Sequence, residues 1–207
     1  MSNVLVCGRG ESLNTIGELK GDYDCVILLN EFNRFARESP QIAEFLQGKK
    51  IIQFLNITEG GLDQEFINYF NIRDVYVTRL GPDGKDFASW WRQPRHHRVP
   101  ESFGIQCRYQ PPELEPYMNI VENSSDVALL FSLLSLNAKN IDIIGVDFYE
   151  AEYFLGHSEP DIQDEDDTKR IMGAHKKIVS LFPETNFRYY TRSSFDAEKE
   201  NCVSVRV

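Results

Sequence analysis

Short apolar runs alternate along this chain with segments whose apolar positions recur at helical spacing. Runs at Asn3 to Cys7, Asp24 to Asn30, Lys50 to Asn56, Asp74 to Leu80, Asn140 to Phe148 and Asn186 to Thr191 predict strands. Helices are predicted near Ser12 to Leu19, Gln41 to Gln47, Asp63 to Phe70, Ser124 to Ala138 and Asp167 to Phe182. This alternation predicts strand-helix units on a mostly parallel sheet, an α/β fold of the Rossmann-like three-layer sandwich type. The helix from Ser124 carries Val127, Leu130, Phe131 and Leu134 on one stripe and further apolar residues on its other faces, so it is expected to be covered on both sides. At the tail, Val203, Val205 and Val207 alternate with polar residues as a short edge strand does.

A length of 207 residues predicts a single domain over 1–207. Its one irregular stretch, about 81–117, has six prolines and little periodicity, and holds Trp90 and Trp91 beside Arg92, Arg95, His96, His97 and Arg98. A loop of that length is expected to be functional or disordered. The tryptophans suit a sugar platform as well as they suit plain packing. The formal charge of -10 repels phosphate backbones and anionic lipid, which argues against a nucleic-acid binder. No basic, apolar leader opens the sequence, and the longest apolar run, Val127 to Leu136, is too short to span a bilayer, so no transmembrane segment and a cytoplasmic location are expected. Cys7, Cys25, Cys107 and Cys202 are scattered without a C-x-x-C pair, as reduced thiols are.

The first strand runs into Gly8-Arg9-Gly10-Glu11-Ser12 and then a helix, an arrangement that brings backbone N–H groups to a phosphate. The dinucleotide fingerprint is incomplete, because Leu13 replaces the third glycine and the second strand ends in Asn30 rather than an acid. A tight turn needing glycine torsions accounts for the two glycines equally well. Asn30, Asn56 and the Gly145-Val146-Asp147 segment, however, also end predicted strands, and in an open parallel sheet such ends converge on one crevice. Amides suit a pyrimidine edge and a carboxylate suits ribose hydroxyls, although each residue is also a common strand-ending turn former. Placed there, Asp147 and Asn30 are expected to face the cleft, so that losing either side chain would weaken ligand binding and spare the fold.

Gly8-Arg9-Gly10-Glu11-Ser12-Leu13, Leu29-Asn30-Glu31-Phe32, Ile144-Gly145-Val146-Asp147-Phe148-Tyr149 and Gly156-His157-Ser158 together resemble the ordered motifs of bacterial sialyltransferases of glycosyltransferase family 42. The family pattern reads approximately G-N-G-P-S-L, C-N-Q-F, G-I-D-F-Y and G-H-S, and Ser124-Ser125 is similar to its Ser-Gly turn at the nucleotide. The resemblance implies a GT-A variant fold, a CMP-sugar donor such as CMP-sialic acid, a carbohydrate acceptor, and neither cofactor nor metal. A homo-oligomer is compatible with it. By the same resemblance His157 is the general base, Tyr149 donates to the leaving phosphate, and Tyr153 is the nearest counterpart of a second phosphate-binding tyrosine. Gly8, Arg9, Gly10, Ser12, Asn30, Asn56, Ser124, Ser125, Gly145, Asp147 and Tyr149 would then line the nucleotide site.

The chain differs from the family pattern in Arg9 for asparagine, Glu11 for proline, Val121 for arginine and Phe154 for tyrosine, and in a shortened lid at about 150–163. The acidic run Asp161, Asp164, Glu165, Asp166 and Asp167 fits the start of a helix, where negative charge favours the dipole, better than a metal site. Two alternatives stay beside the sialyltransferase-like reading. One is a catalytically impaired nucleotide-binding protein on the same fold, and the other a magnesium-dependent pterin pyrophosphokinase-like enzyme, which only the acidic run favours.

Overall fold

The structure is a computed structural model and describes residues 2–30, 32, 39–56, 64–78, 107–109, 111–151 and 165–207. Its strands are β1 (Ser2–Cys7), β2 (Cys25–Leu29), β3 (Ile51–Asn56), β4 (Asp74–Thr78), β5 (Cys107–Tyr109), β6 (Ala138–Ile144), β7 (Asn186–Thr191) and β8 (Cys202–Arg206). Its α-helices are α1 (Pro40–Leu46), α2 (Gln64–Tyr69), α3 (Ser124–Leu134) and α4 (Glu165–Leu181), with 3-10 helices at Glu11–Glu18 and Pro112–Ile120. All eight strands pair in parallel, in the order β5-β4-β3-β2-β1-β6-β7-β8. The chain winds outward from β1 to β5, returns through α3 to the other flank of β1, and winds outward again. This is the doubly wound arrangement, with its reversal between β1 and β6.

Period-2 alternation divides the strands between two cores. Val4, Val6, Ile27, Phe54, Ile141 and Ile143 face α3 and α4. Leu5, Cys7, Val26, Leu28, Ile51 and Ile144 face the Glu11–Glu18 helix, α1 and α2. Central strands buried on both faces read as continuous apolar runs, which is why β1, β2 and β6 stand out in the sequence. Helix α3 packs across β1, β2, β3 and β6, and Ser124 to Leu133 are all buried. Cys7, Cys25 and Cys202 are free, buried thiols whose titration burial pushes up, to about 11 for Cys25 and Cys202.

Several boundaries move from their expected places. Helix α3 stops at Leu134, because Asn137 turns left-handed (φ 51°) and Ala138 already pairs with Ser2. Strand β6 ends at Ile144 rather than Phe148, because Gly145 is left-handed (φ 71°). Strand β5 falls within the stretch read as aperiodic, and the Pro112–Ile120 helix begins in it. A three-residue strand is too short to show alternation, and Pro116 inside a helix reads as a breaker. The tail strand is present as β8, reached from β7 by coil instead of a helix. Among the described residues no helix is long and apolar enough to cross a membrane.

Candidate functional site

Doubly wound sheets bind ligands in the crevice at the carboxyl ends of the strands where the winding reverses, which in this order is the end of β1 and β6. Two glycines let the chains meet there. A Cβ on Gly8 would overlap the carbonyl of Gly145, and a Cβ on Gly145 would lie 2.5 Å from the carbonyl of Gly8. The contact is sealed by Gly8 N donating to Ile144 O at 2.8 Å and Gly10 N donating to Gly145 O at 2.7 Å. Ser12, wholly buried, accepts from Gly145 N on its Oγ at 2.9 Å. A Cβ at Gly10 would strike the Asp147 carboxylate, so this glycine too is set by close approach.

Asp147 is 3% exposed, and three protein donors surround its carboxylate. Oδ2 accepts from Ser12 N at 2.8 Å, while Oδ1 accepts from Thr191 Oγ1 at 3.0 Å and from Arg192 N at 2.9 Å. The expectation that this side chain faces an open cleft is therefore corrected. The carboxylate ties the ends of β6 and β7 to the first turn of the Glu11–Glu18 helix, and its loss would take the acceptor from the buried Ser12 N and the part-buried Arg192 N, while the Thr191 hydroxyl keeps Ser193 Oγ within 2.8 Å.

Beyond Asp147 the backbone is strained. Phe148 and Tyr149 both have positive φ, 51° and 61°, and Glu150 N closes the turn on Asp147 O at 3.0 Å. This is the pattern of a type I′ turn, which favours glycine or asparagine at both central positions, and each L-residue there costs about 1–2 kcal/mol. Packing holds it in place. The Phe148 ring stacks on Phe195 at 4.6 Å and meets the edge of His175 at 4.9 Å, so Phe148 is buried while Tyr149 stays 39% exposed. Strain of this kind gathers at functional sites.

The head of α3 lies on the other face and is locked from below. Asn123 Oδ1 accepts from the backbone of Ser125 and Asp126, and Asp126 Oδ2 accepts from Glu122 N at 2.8 Å and Asn123 N at 2.9 Å, a capping box. Ser125 Oγ lies 2.5 Å from Asn123 Oδ1 and 2.8 Å from His175 Nε2, while Tyr189 Oη lies 2.9 Å from His175 Nδ1. Because the Asn123 oxygen is only an acceptor, Ser125 must donate to it; Nε2 then carries the imidazole proton toward Ser125, and Tyr189 donates to Nδ1. Serine, histidine and aspartate are all present, but Asp126 Oδ1 sits 3.2 Å from the same nitrogen that serves the serine and makes no hydrogen bond. Full burial closes the group to substrate, so it is a lock and not a nucleophilic triad. Burial pushes His175 down to about 3 and Asp126 up to about 7.

Of the residues singled out from sequence, Gly8, Gly10, Ser12, Gly145 and Asp147 meet in one buried joint at the ends of β1 and β6, with Arg9 between the two glycines and Tyr149 in the turn that follows Asp147. Asn30 ends β2 with φ 57°, a conformation asparagine tolerates, and its carbonyl accepts from Gln53 Nε2 at 2.6 Å. Asn56 ends β3. Ser124 and Ser125 open α3, with Ser125 engaged as above. His157 and Tyr153 lie outside the described residues, as do Trp90 to Arg98 and most of the shortened lid. Helix α4 opens on Glu165, Asp166 and Asp167, which face Lys169 and Arg170, and no described cluster of His, Cys, Asp or Glu could hold a metal. Sequence reasoning misses His175, Thr191 and Arg192. His175 has a legible signal, a histidine on the apolar stripe Ile171, Ala174, Ile178 of an amphipathic helix, whereas Thr191 and Arg192 read only as the end of a strand. A polar groove of about 340 Å³ lies at the opposite, amino ends of the strands, where Asn3, Asn140 and Asn186 bond to one another in a ladder.

The described residues form a doubly wound α/β fold whose switch point lies between β1 and β6. No protein-family model matches the chain, and no curated protein matches it. Among solved structures the chain is similar to the sialyltransferase CstII from Campylobacter jejuni in complex with cytidine-5'-monophosphate, with 16% identity, a TM-score of 0.38, and coverage of 93% of this chain and 80% of that one. It is similar also to the sialyltransferase Cst-II in complex with a trisaccharide acceptor and CMP, with 14% identity, a TM-score of 0.38, and coverage of 91% and 80%. Likeness at this level transfers neither fold nor activity.

Proposed function

We propose that the chain is a glycosyltransferase that takes a CMP-sugar donor, of the sialic acid type, and transfers the sugar to a carbohydrate hydroxyl without a metal. The acceptor oxygen attacks the anomeric carbon and the bond from that carbon to the phosphate oxygen breaks. CMP leaves with the bonding electrons, and the acceptor proton passes to His157. A positioned base of this kind contributes about 10² to 10⁴ in rate. Tyr149 donates a hydrogen bond to the departing phosphate, stabilising charge as it develops. Asn30 and Asn56 suit the pyrimidine edge.

The observation that carries the reading is the strained turn that holds Tyr149 exposed, four residues beyond the Gly145 that meets Gly8 at the switch point, in the segment whose residues most resemble the family motif. The test follows both halves of the reaction. Wild-type protein is incubated with CMP-sialic acid and galactose-terminated acceptors, with and without EDTA, while CMP release and glycosylated product are measured. Product formed in EDTA, and lost in His157→Ala while CMP still binds, is the expected result. The short span between Tyr149 and Gly156 favours a second reading, a binding protein without turnover. Wild type that binds CMP and releases none from the donor establishes that reading instead.

A further inference from the structure

The segment that leaves β7 runs beside the carboxyl ends of β1 and β6. Thr191 Oγ1 and Arg192 N both donate to Asp147 Oδ1, and Ser194 donates to Glu150 through both its backbone N–H and its hydroxyl. These bonds fix the backbone of Arg192 alongside the Asp147–Glu150 turn that carries Tyr149. From this anchored position the Arg192 guanidinium reaches Glu11 Oε1, in the first turn of the Glu11–Glu18 helix beyond the glycine turn. About a third of each side chain is open to solvent, 36% for Arg192 and 35% for Glu11.

An ion pair this exposed adds little to the fold, because solvent screens it and two side chains must be ordered to make it. The joint beneath it is already held by the buried Asp147 carboxylate. Its position is the informative feature, since a guanidinium stands at the carboxyl end of the sheet and, among the described residues, pairs with one carboxylate. A phosphate carries more charge than a carboxylate and matches the guanidinium fork in two bonds.

We propose that Arg192 is the phosphate-binding arginine of this crevice and that Glu11 is its resident competitor. An incoming nucleotide phosphate displaces the Glu11 carboxylate and takes the guanidinium, moving one side chain and no backbone. When the phosphate departs, Glu11 recovers the arginine and favours release. The inference rests on the nucleotide reading of the crevice and adds to it the residue that senses the phosphate.

The test titrates CMP and cytidine into the full chain by calorimetry at low ionic strength, for wild type, Arg192→Gln and Glu11→Gln, with circular dichroism confirming that each is folded. Arg192→Gln is expected to lose roughly tenfold or more in CMP affinity, the scale of one hydrogen bond to a charged group, with cytidine unchanged. Glu11→Gln is expected to bind CMP several-fold more tightly, again with cytidine unchanged. A structural strap would do the opposite in the second variant, weakening both ligands together. Arg192→Gln with wild-type CMP affinity overturns the arginine and leaves the crevice reading standing. Glu11→Gln that weakens CMP overturns the competition. Wild type that binds neither ligand removes the nucleotide reading and this inference with it. Where cytidine is too weak to titrate, the CMP arm decides.

Discussion

Replacing Asp126 with asparagine should make the protein progressively more stable, relative to wild type, as pH rises. The carboxyl is fully buried, its Oδ1 has no hydrogen-bond partner, and burial raises its titration from the ordinary 3.8 to about 7, against the lowering effect of the Glu122 and Asn123 N–H groups. The folded protein therefore holds this proton where the unfolded chain has lost it. Its contribution to stability is complete below about pH 4 and is lost as pH climbs to about 7. At about 1.4 kcal/mol per pH unit the loss totals about 4 kcal/mol. His175, pushed down to about 3 by burial, has the opposite slope, gaining stability as pH rises from 3 to 6.5, so in wild type the two offset each other. The substituted asparagine would keep the capping bonds through its oxygen and would not titrate. His175 is common to both proteins and cancels from their difference. Urea unfolding of both proteins at half-unit intervals from pH 4 to 8 gives that difference directly. Its slope is the test, because an amide beside His175 changes the absolute offset. A difference that stays flat between pH 4 and 7, or falls, refutes the account of Asp126.

Three further outcomes follow from the joint and its surroundings. Tyr149→Gly should stabilise the protein by about 1 kcal/mol, since it relieves a left-handed residue whose side chain is exposed, while Phe148→Ala should destabilise it by about 3–5 kcal/mol through loss of its stacked ring; denaturant midpoints that move in the same direction would contradict this. Gly173→Ala, inside α4 with nothing within 4 Å of the new methyl, should add about 0.5–1 kcal/mol, whereas Gly8→Ala should fail to give soluble folded protein because the Gly145 carbonyl cannot move aside. Asp147→Ala should lower stability by about 2–4 kcal/mol even without ligand, as buried donors lose their acceptor; an unchanged melting temperature would return Asp147 to the cleft.

Sequence patterning carries the sheet because its central strands are buried on both faces and announce themselves as unbroken runs, Val4 to Cys7 and Val26 to Leu29. The glycine turn and the Gly145 segment are legible for the same kind of reason, since only glycine permits two backbones to touch. The failures have a common cause. Asp147 looks like a ligand residue until Thr191 and Arg192, more than forty residues later, are brought to its Oδ1, and no local pattern announces such partners. Helix α3 reads as longer than it is because Leu136 and Ala138 continue its apolar character, while the Asn137 turn and the pairing of Ala138 with Ser2 are decided across the fold. Strand β5 is specified by its neighbour β4 more than by its own three residues.

The joint at the switch point also bears on the order in which the molecule can fold. Its bonds close spans of 133 residues from Gly145 to Ser12, 135 from Ser12 to Asp147 and 181 from Arg192 to Glu11. Contacts so distant along the chain form only after the intervening strands have docked, because the entropy of closing each loop must first be met. The β1–β2–β3 side is built from shorter crossovers and can organise earlier. Glycine packing, the strained turn and the arginine pair therefore arrive together, and late. The proposed nucleotide site needs the completed joint, so recovery of CMP binding during refolding should lag behind recovery of helical signal and mark the last step of assembly.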